Sequence, residues 1–146
     1  MKILLDTSTL AKRYVQELGS EELEDLFFSV VKEVFVSTLA LAEFAAAIGR
    51  KLRNKEMLEK SASKAMRELE KDWGGLFKKI PLTEDLAMSA ASLAIQYPLK
   101  GADAIHLASA IAVGADLFVV SDNMLVSVAE KIGIKTYNPI AGRFQC

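Results

Sequence analysis

The sequence predicts an α/β fold: one domain over residues 1–146, with a central, mainly parallel sheet flanked by helices. Two observations carry this. Short apolar runs alternate with helical patterns along the whole chain, the order produced by parallel strands joined through crossover helices. The runs Ile3-Leu4-Leu5 and Leu117-Phe118-Val119-Val120 are also uninterrupted by polar residues, as in strands covered on both faces. At 146 residues the chain has the length for one hydrophobic core, and no repeat, low-complexity segment or linker divides it.

Residues 2–5 read as a buried strand that delivers Asp6 at its carboxyl end. Thr7, Ser8 and Thr9 offer caps for a helix over 9–16, and Ser20 followed by Glu21 and Glu22 opens a second helix over 20–32. Residues 34–36 form the next strand. From Thr38 onward, Leu39, Leu41, Ala42, Phe44, Ala45, Ala46 and Ile48 predict a helix that is apolar nearly all round, hence buried, turning basic only after Gly49. Residues 55–73 carry Leu58, Ala62, Ala65, Met66 and Leu69 at helical spacing among charges, an amphipathic surface helix ended by Gly74-Gly75. A short strand over 77–81 precedes a helix that starts at Thr83 and stops before Pro98. An apolar helix over 102–113 closes at Gly114, a strand over 117–120 leads to Asp122, and a helix over 123–131 is followed by a last strand over 134–137.

Hydrophobic residues make up 51% and charged residues 25% of the chain, which excludes an intrinsically disordered protein. Eighteen Lys and Arg against nineteen Asp and Glu leave a net charge of -1, so any nucleic-acid contact has to come from a local basic patch. The single cysteine, Cys146, allows no disulfide within the chain and sits at a frayed end unsuited to a nucleophile, which points to a reducing, cytoplasmic setting. The opening MKILLD is too short for a signal-peptide core, and no apolar stretch is long enough to span a bilayer, so no membrane association is expected.

Most acids lie in charged surface stretches. Asp6, Glu43, Asp103 and Asp122 do not: each sits in an apolar window, where an unpaired carboxylate needs a partner, a metal or a raised pKa. Asp6, Asp103 and Asp122 each also read as a helix cap or a first-turn acid. Glu43 resists that reading, since it falls mid-helix with no Lys or Arg within four residues. Asp6 and Asp122 both fall at carboxyl ends of predicted strands, where open parallel sheets bind their ligands. Carboxylates converging there repel unless a cation neutralises them. With no usable Cys and one His, the donors are oxygen, which suits Mg²⁺ or Mn²⁺ rather than zinc. Such ions support phosphodiester hydrolysis. His106, one turn after Asp103, could face the site, but a structural role packing against the sheet is the favoured expectation. Positive charge for substrate phosphates is available at Lys12 and Arg13 and, in a second cluster, at Arg50, Lys51, Arg53 and Lys55.

At these positions the chain resembles the PIN-domain nucleases, in particular the small VapC-like ribonucleases that act as toxins in bacterial and archaeal toxin–antitoxin pairs. The resemblance is carried by Leu5-Asp6-Thr7-Ser8-Thr9-Leu10 with Lys12-Arg13-Tyr14, by Ala42-Glu43-Phe44, by the run GADAIHLA at 101–108, and by GADLFVVSD at 114–122. It implies a five-stranded parallel sheet and a site in which Asp6, Glu43, Asp103 and Asp122 surround one or two Mg²⁺ or Mn²⁺ ions and activate water against an RNA phosphate. Ser121 matches a small hydroxyl residue expected to hydrogen-bond within that cluster. Asn123 stands where many relatives carry a further aspartate, which puts a second tightly held metal in question. Asp116 matches a turn before the strand and is excluded from the site. The resemblance also implies a homodimer and an antitoxin partner seated on an apolar groove, for which the helices at 20–32 and 55–72 offer stripes.

Other readings fare less well. A dehalogenase-like phosphotransferase needs an acid two residues after its first aspartate, where this chain has Ser8; a receiver domain needs an aspartate on the middle strand, and none lies near 77–81. Neither GxGxxG nor GxxxxGK[ST] occurs, which removes the common nucleotide-binding motifs. The alternative that remains is a catalytically inactive PIN-like module that binds RNA or a protein without cutting.

Overall fold

A computed structural model of the chain describes residues 1–29, 31 and 33–145. Cys146 lies outside the described residues, as do residues 30 and 32 of the segment expected to be helical to 32. The elements run β1 (Lys2–Leu5), α1 (Thr7–Ala11), α2 (Ser20–Ser29), β2 (Glu33–Ser37), α3 (Leu39–Arg53), α4 (Glu59–Gly75), β3 (Phe77–Ile80), α5 (Glu84–Gln96), α6 (Gly101–Val113), β4 (Leu117–Val119), α7 (Asn123–Lys131) and β5 (Thr136–Tyr137).

The five strands form one parallel sheet in the order β3-β2-β1-β4-β5. Leu5 is paired on one side with Val36 of β2 and on the other with Val119 of β4. The chain winds outward from β1 to β3, then crosses back through α5 and α6 to β4. The neighbours β1 and β4 are therefore the switch point, where their connections leave in opposite directions and open a crevice at the carboxyl edge.

Side chains alternate across this sheet. Ile3, Leu5, Leu117 and Val119 face one core with Leu10, Leu23, Leu26, Phe44, Ile48 and Leu69 of α1 to α4. Leu4, Phe118 and Val120 face the other, with Leu107 of α6 and Leu125 and Val128 of α7. Both faces are covered at the centre of the sheet, which is why Ile3-Leu4-Leu5 of β1 and Leu117-Phe118-Val119 of β4 are apolar without a break, whereas Lys78 and Lys79 of the edge strand β3 are exposed. Among the described residues, no helix is long and apolar enough to cross a membrane.

Four local expectations need correction. Helix α1 starts at Thr7 because Asp6, not the hydroxyl run, is its N-cap, and it ends at Ala11 rather than 16. Helix α3 is not buried all round: Ala40, Phe44 and Ile48 form its buried stripe, while Ala42, Ala45 and Ala46 are exposed. Its alanines are apolar enough to mimic a core helix without being covered. Helix α4 starts at Glu59 rather than 55 and stops at the expected glycines, which are its last two residues, the bond from Leu76 N to Asp72 O (2.8 Å) closing the final turn. The final strand is short, because Ile134 N is taken by Ala129 O (2.9 Å) in closing α7.

Candidate active site

Asp6 follows β1 directly and turns its carboxylate back onto α1. Oδ1 accepts from Thr9 N at 3.0 Å and from Thr9 Oγ1 at 2.9 Å, and Ser8 Oγ lies 3.2 and 3.3 Å from the two oxygens. Burial of this carboxyl raises its pKa above the ordinary value, although these hydrogen bonds act in the opposite direction. Thr9 Oγ1 is also 2.9 Å from the carbonyl of Val119, so the cap is fastened to the end of β4 at the switch point.

Glu43 lies just over one turn into α3, half-buried. Its Oε1 accepts from Thr7 Oγ1 at 2.6 Å and from His106 Nε2 at 2.7 Å, and the two donors stand 3.1 Å apart. The bond from His106, with a smaller contribution from Thr7, holds this carboxyl below its ordinary value against the opposing effect of burial. His106 is 2% exposed and packs inside as the structural expectation has it, while its polar edge turns to Glu43, the alternative that its place one turn after Asp103 allowed. Thr7 was missed altogether. The available signals were adjacency to Asp6 for Thr7 and the (i, i+3) helical spacing from Asp103 for His106.

Asp103 occupies the first turn of α6, and Asp122 is the N-cap of α7, its Oδ1 accepting from Leu125 N at 2.9 Å. Burial raises the Asp103 carboxyl first; the negative charges of Asp122, Asp6 and Glu43 raise it further, while His106 opposes them. The fold thus brings the four acids into one electrostatic neighbourhood. Three of them, Asp6, Glu43 and Asp122, have one oxygen held by the protein itself. Among the described residues, no three acid, His or Cys side chains are drawn close enough to form a finished metal cage. The donor chemistry nevertheless fits a hard divalent cation: carboxylate oxygens at mutual electrostatic cost, with the residue before Asp122, Ser121, keeping a buried and unpartnered Oγ.

The supporting residues fall differently from expectation. Ser121 makes no hydrogen bond within the cluster: its Oγ is buried without a partner, while Oδ1 of the adjacent Asp122 caps α7. Asn123 is the exposed first residue of α7. Lys12 is buried and paired with Glu17 at 3.0 Å. Arg13 pairs with Glu24 at 2.9 Å and Asp72 at 3.0 Å and stacks 5.0 Å from the Phe27 ring centroid. Both charges are thus committed to acids of the same chain instead of standing free for phosphates. Arg50, Lys51, Arg53 and Lys55 enter no ion pair among the described residues. Asp116 is exposed at the opposite, amino edge of the sheet, accepting from Lys2 N at 2.7 Å.

The family model of the PIN domain matches residues 3–131. The chain belongs to the PIN domain family. Ribonuclease VapC45 of Mycobacterium tuberculosis (strain CDC 1551 / Oshkosh) is 34% identical to this PIN domain over 119 residues, covering 82% of this chain and 81% of that protein. FitAcB from Neisseria gonorrhoeae superposes with a TM-score of 0.72 at 19% identity, covering 94% of this chain and 97% of that one. Mycobacterium tuberculosis VapC20, described as a Sarcin-Ricin loop cleaving toxin, superposes with a TM-score of 0.69 at 18% identity, covering 90% and 95%. At these identities the two structural likenesses are likenesses of fold.

The raised carboxyls of Asp6 and Asp103 make one contribution to the pH dependence of this PIN domain, opposite in sign to that of Glu43. Folding favours the protonated form of Asp103, so its stability contribution is fully present below the ordinary value of 3.8 and is lost as the pH rises through the higher folded value. Asp103→Asn is expected to raise the melting temperature of the metal-free chain near neutral pH, with a gain that fades as the pH falls towards 3.8. Thermal melts in EDTA across that range check this, and a variant no more stable than wild type at neutral pH contradicts it.

Proposed function

We propose that this PIN domain is an endoribonuclease dependent on Mg²⁺ or Mn²⁺, and that it acts as the toxin of a toxin–antitoxin pair in the cytoplasm. The observation that carries the reading is the gathering of Asp6, Glu43, Asp103 and Asp122 into one set of interacting charges at the switch point of the sheet. The 34% identity to a protein named a ribonuclease supports the same activity.

Asp6 and Asp103 would be the principal ligands of the cation, with Asp122 and Glu43 completing or orienting its water shell. Bound there, such a cation supplies activation of water and neutralisation of phosphoryl charge. The protein's own contribution is orientation. Thr9 fixes which oxygen of Asp6 turns inward to the helix, Leu125 N does the same for Asp122, and Thr7 with His106 does so for Glu43. Glu43 and Asp122 thereby keep their second oxygens for the cation or for water, while the second oxygen of Asp6 has only the long 3.3 Å contact of the Ser8 hydroxyl. Asp103 needs no such anchor on its own side chain, since it stands in the first turn of a helix, where a negative charge meets the positive end of the dipole.

Cleavage of a labelled RNA pool by the purified chain with Mg²⁺ or Mn²⁺ is expected, abolished by EDTA. Asp6→Asn and Asp103→Asn should each lower the rate by about 10²–10³-fold or more, the scale of losing one group that acts on transition-state charge. Cleavage near the wild-type rate in either variant removes the mechanism. No cutting, with no stabilisation by Mn²⁺, transfers the reading to a PIN module that binds without cutting.

For the RNA backbone, the cations at the end of α3, which enter no ion pair among the described residues, fit better than Lys12 and Arg13. Arg50 follows Glu43 by about two helical turns, so it lies on the same side of α3, roughly 10 Å along the axis. Reversing Arg50 and Arg53 to Glu is expected to weaken RNA binding and to flatten its salt dependence by about 0.7 in log–log slope per lost phosphate contact. An unchanged slope assigns the phosphate contacts elsewhere.

The protein partners in this reading are an antitoxin and a second copy of the chain. Phe27, Phe28, Val31 and Leu76 line a cavity of about 210 Å³ beside Arg13, with Phe28 87% exposed, which suits an apolar antitoxin segment. Met88, Ile95 and Ile111 leave α5 and α6 an exposed apolar face suited to self-association. Sedimentation of the chain alone and after co-expression with the product of an adjacent gene is expected to give a dimer and a larger complex. A monomer at micromolar concentration overturns the dimer, and an unchanged species on co-expression overturns that partner.

A further inference from the structure

We propose that His106 and Thr7 are positioning residues for Glu43, forming a three-way knot that sets the spacing of the acids before any cation binds. The inference rests on reading the site as a divalent-cation site. The knot joins three elements: Thr7 adjoins Asp6 on α1, Glu43 is on α3, and His106 lies one turn from Asp103 on α6. Its three distances, 2.6, 2.7 and 3.1 Å, close a triangle around Glu43 Oε1.

The donors can be assigned from chemistry. A carboxylate oxygen only accepts, so Thr7 O–H and His106 Nε2–H both donate, and together they use both lone pairs of Oε1. Oε2 is then the Glu43 oxygen left for a cation or a water molecule, with its direction fixed by the pair on Oε1. A carboxylate on a long, flexible side chain is placed as firmly as one in the first turn of a helix. Because the residues tied to Glu43 neighbour Asp6 and Asp103, fixing one acid also fixes its distance to the other two.

Packing alone does not account for a histidine here. His106 is 2% exposed, and its Nδ1 is buried without a partner. A buried polar atom left unpaired costs stability, and a leucine would fill the space without that cost. The ring edge that does find partners is the one directed at Glu43.

The test is Mn²⁺ binding by isothermal titration, with melting temperatures in EDTA, on wild type, His106→Leu, His106→Gln and Thr7→Val. His106→Leu is expected to weaken Mn²⁺ by about 10–100-fold, the effect typical of removing a group that orients a metal ligand. Its melting temperature in EDTA should equal or exceed that of wild type. His106→Gln, which can place an amide donor near the Nε2 position, should recover most of the affinity. Thr7→Val removes the other donor and should weaken Mn²⁺ in the same direction, which keeps the proposal exposed to refutation if His106→Leu does not fold. Wild-type Mn²⁺ affinity in folded His106→Leu or in Thr7→Val overturns the knot while leaving the cation site standing. Loss of affinity in His106→Leu that a folded His106→Gln does not recover also overturns it. A wild-type chain that binds no Mn²⁺ overturns the cation reading, and the knot falls with it.

Discussion

Like charges brought together at the end of a parallel sheet repel, and the local structure around the site is arranged against that repulsion. The Asp103 carboxyl is pushed upward by burial and by the charges of Asp122, Asp6 and Glu43. Left to themselves, such groups would protonate or splay apart into solvent. Asp6, Glu43 and Asp122 cannot splay freely, because each has an oxygen engaged by a backbone N–H, a hydroxyl or an imidazole from a rigid element. A set of like charges, of which Asp6 is buried and Glu43 and Asp103 are half-buried, is thereby held close at a cost in stability. Binding of a divalent cation would relieve that cost, so the same repulsion that weakens the fold becomes a source of affinity.

The sheet makes this possible by its winding. With β1 in the centre and the connections departing in opposite directions from β1 and β4, Asp6 and Asp122 emerge side by side at the carboxyl edge. Helices α3 and α6 contribute Glu43 and Asp103 near their starts, and crossover helices antiparallel to the strands start at that edge. Alternate strand residues fill two separate cores, which leaves the sheet little freedom to shift its register. The acids therefore stand on stiff ground, apart from Asp122, which is exposed and held through its cap bond alone.

Charge of the opposite sign is sorted as carefully. Arg13 serves three partners at once: two carboxylates, from Glu24 of α2 and Asp72 of α4, and the face of Phe27. Tyr14 adds a 2.6 Å bond to the same Asp72, and both burial and that carboxylate hold its hydroxyl protonated well beyond its ordinary range. This clamp fastens the loop after α1 to the helices around it. It is a structural use of cations that, from sequence, look well placed for a substrate. Arg50, Lys51 and Arg53, which enter no ion pair among the described residues, sit instead in the last turn of Glu43's helix.

Much of this was legible in the chain itself. Uninterrupted apolar runs alternating with helical spacing determine a sheet buried on both faces, since nothing else explains Leu117-Phe118-Val119-Val120 without a polar break. An acid in each of four apolar windows singles out Asp6, Glu43, Asp103 and Asp122, and those four acids are the ones whose charges the fold brings to bear on one another. What the sequence did not reveal was partnership. Whether Lys12 and Arg13 meet phosphates or the acids Glu17, Glu24 and Asp72, whether Ser121 finds a partner, whether α3 is buried on all sides, and whether His106 turns its polar edge to Glu43 all depend on contacts between residues as many as 63 positions apart. Residue type and local spacing fix which groups are costly to bury. Only the tertiary structure decides which of them bury one another's cost, because that is a matter of distances across the sheet and its helices rather than along the chain.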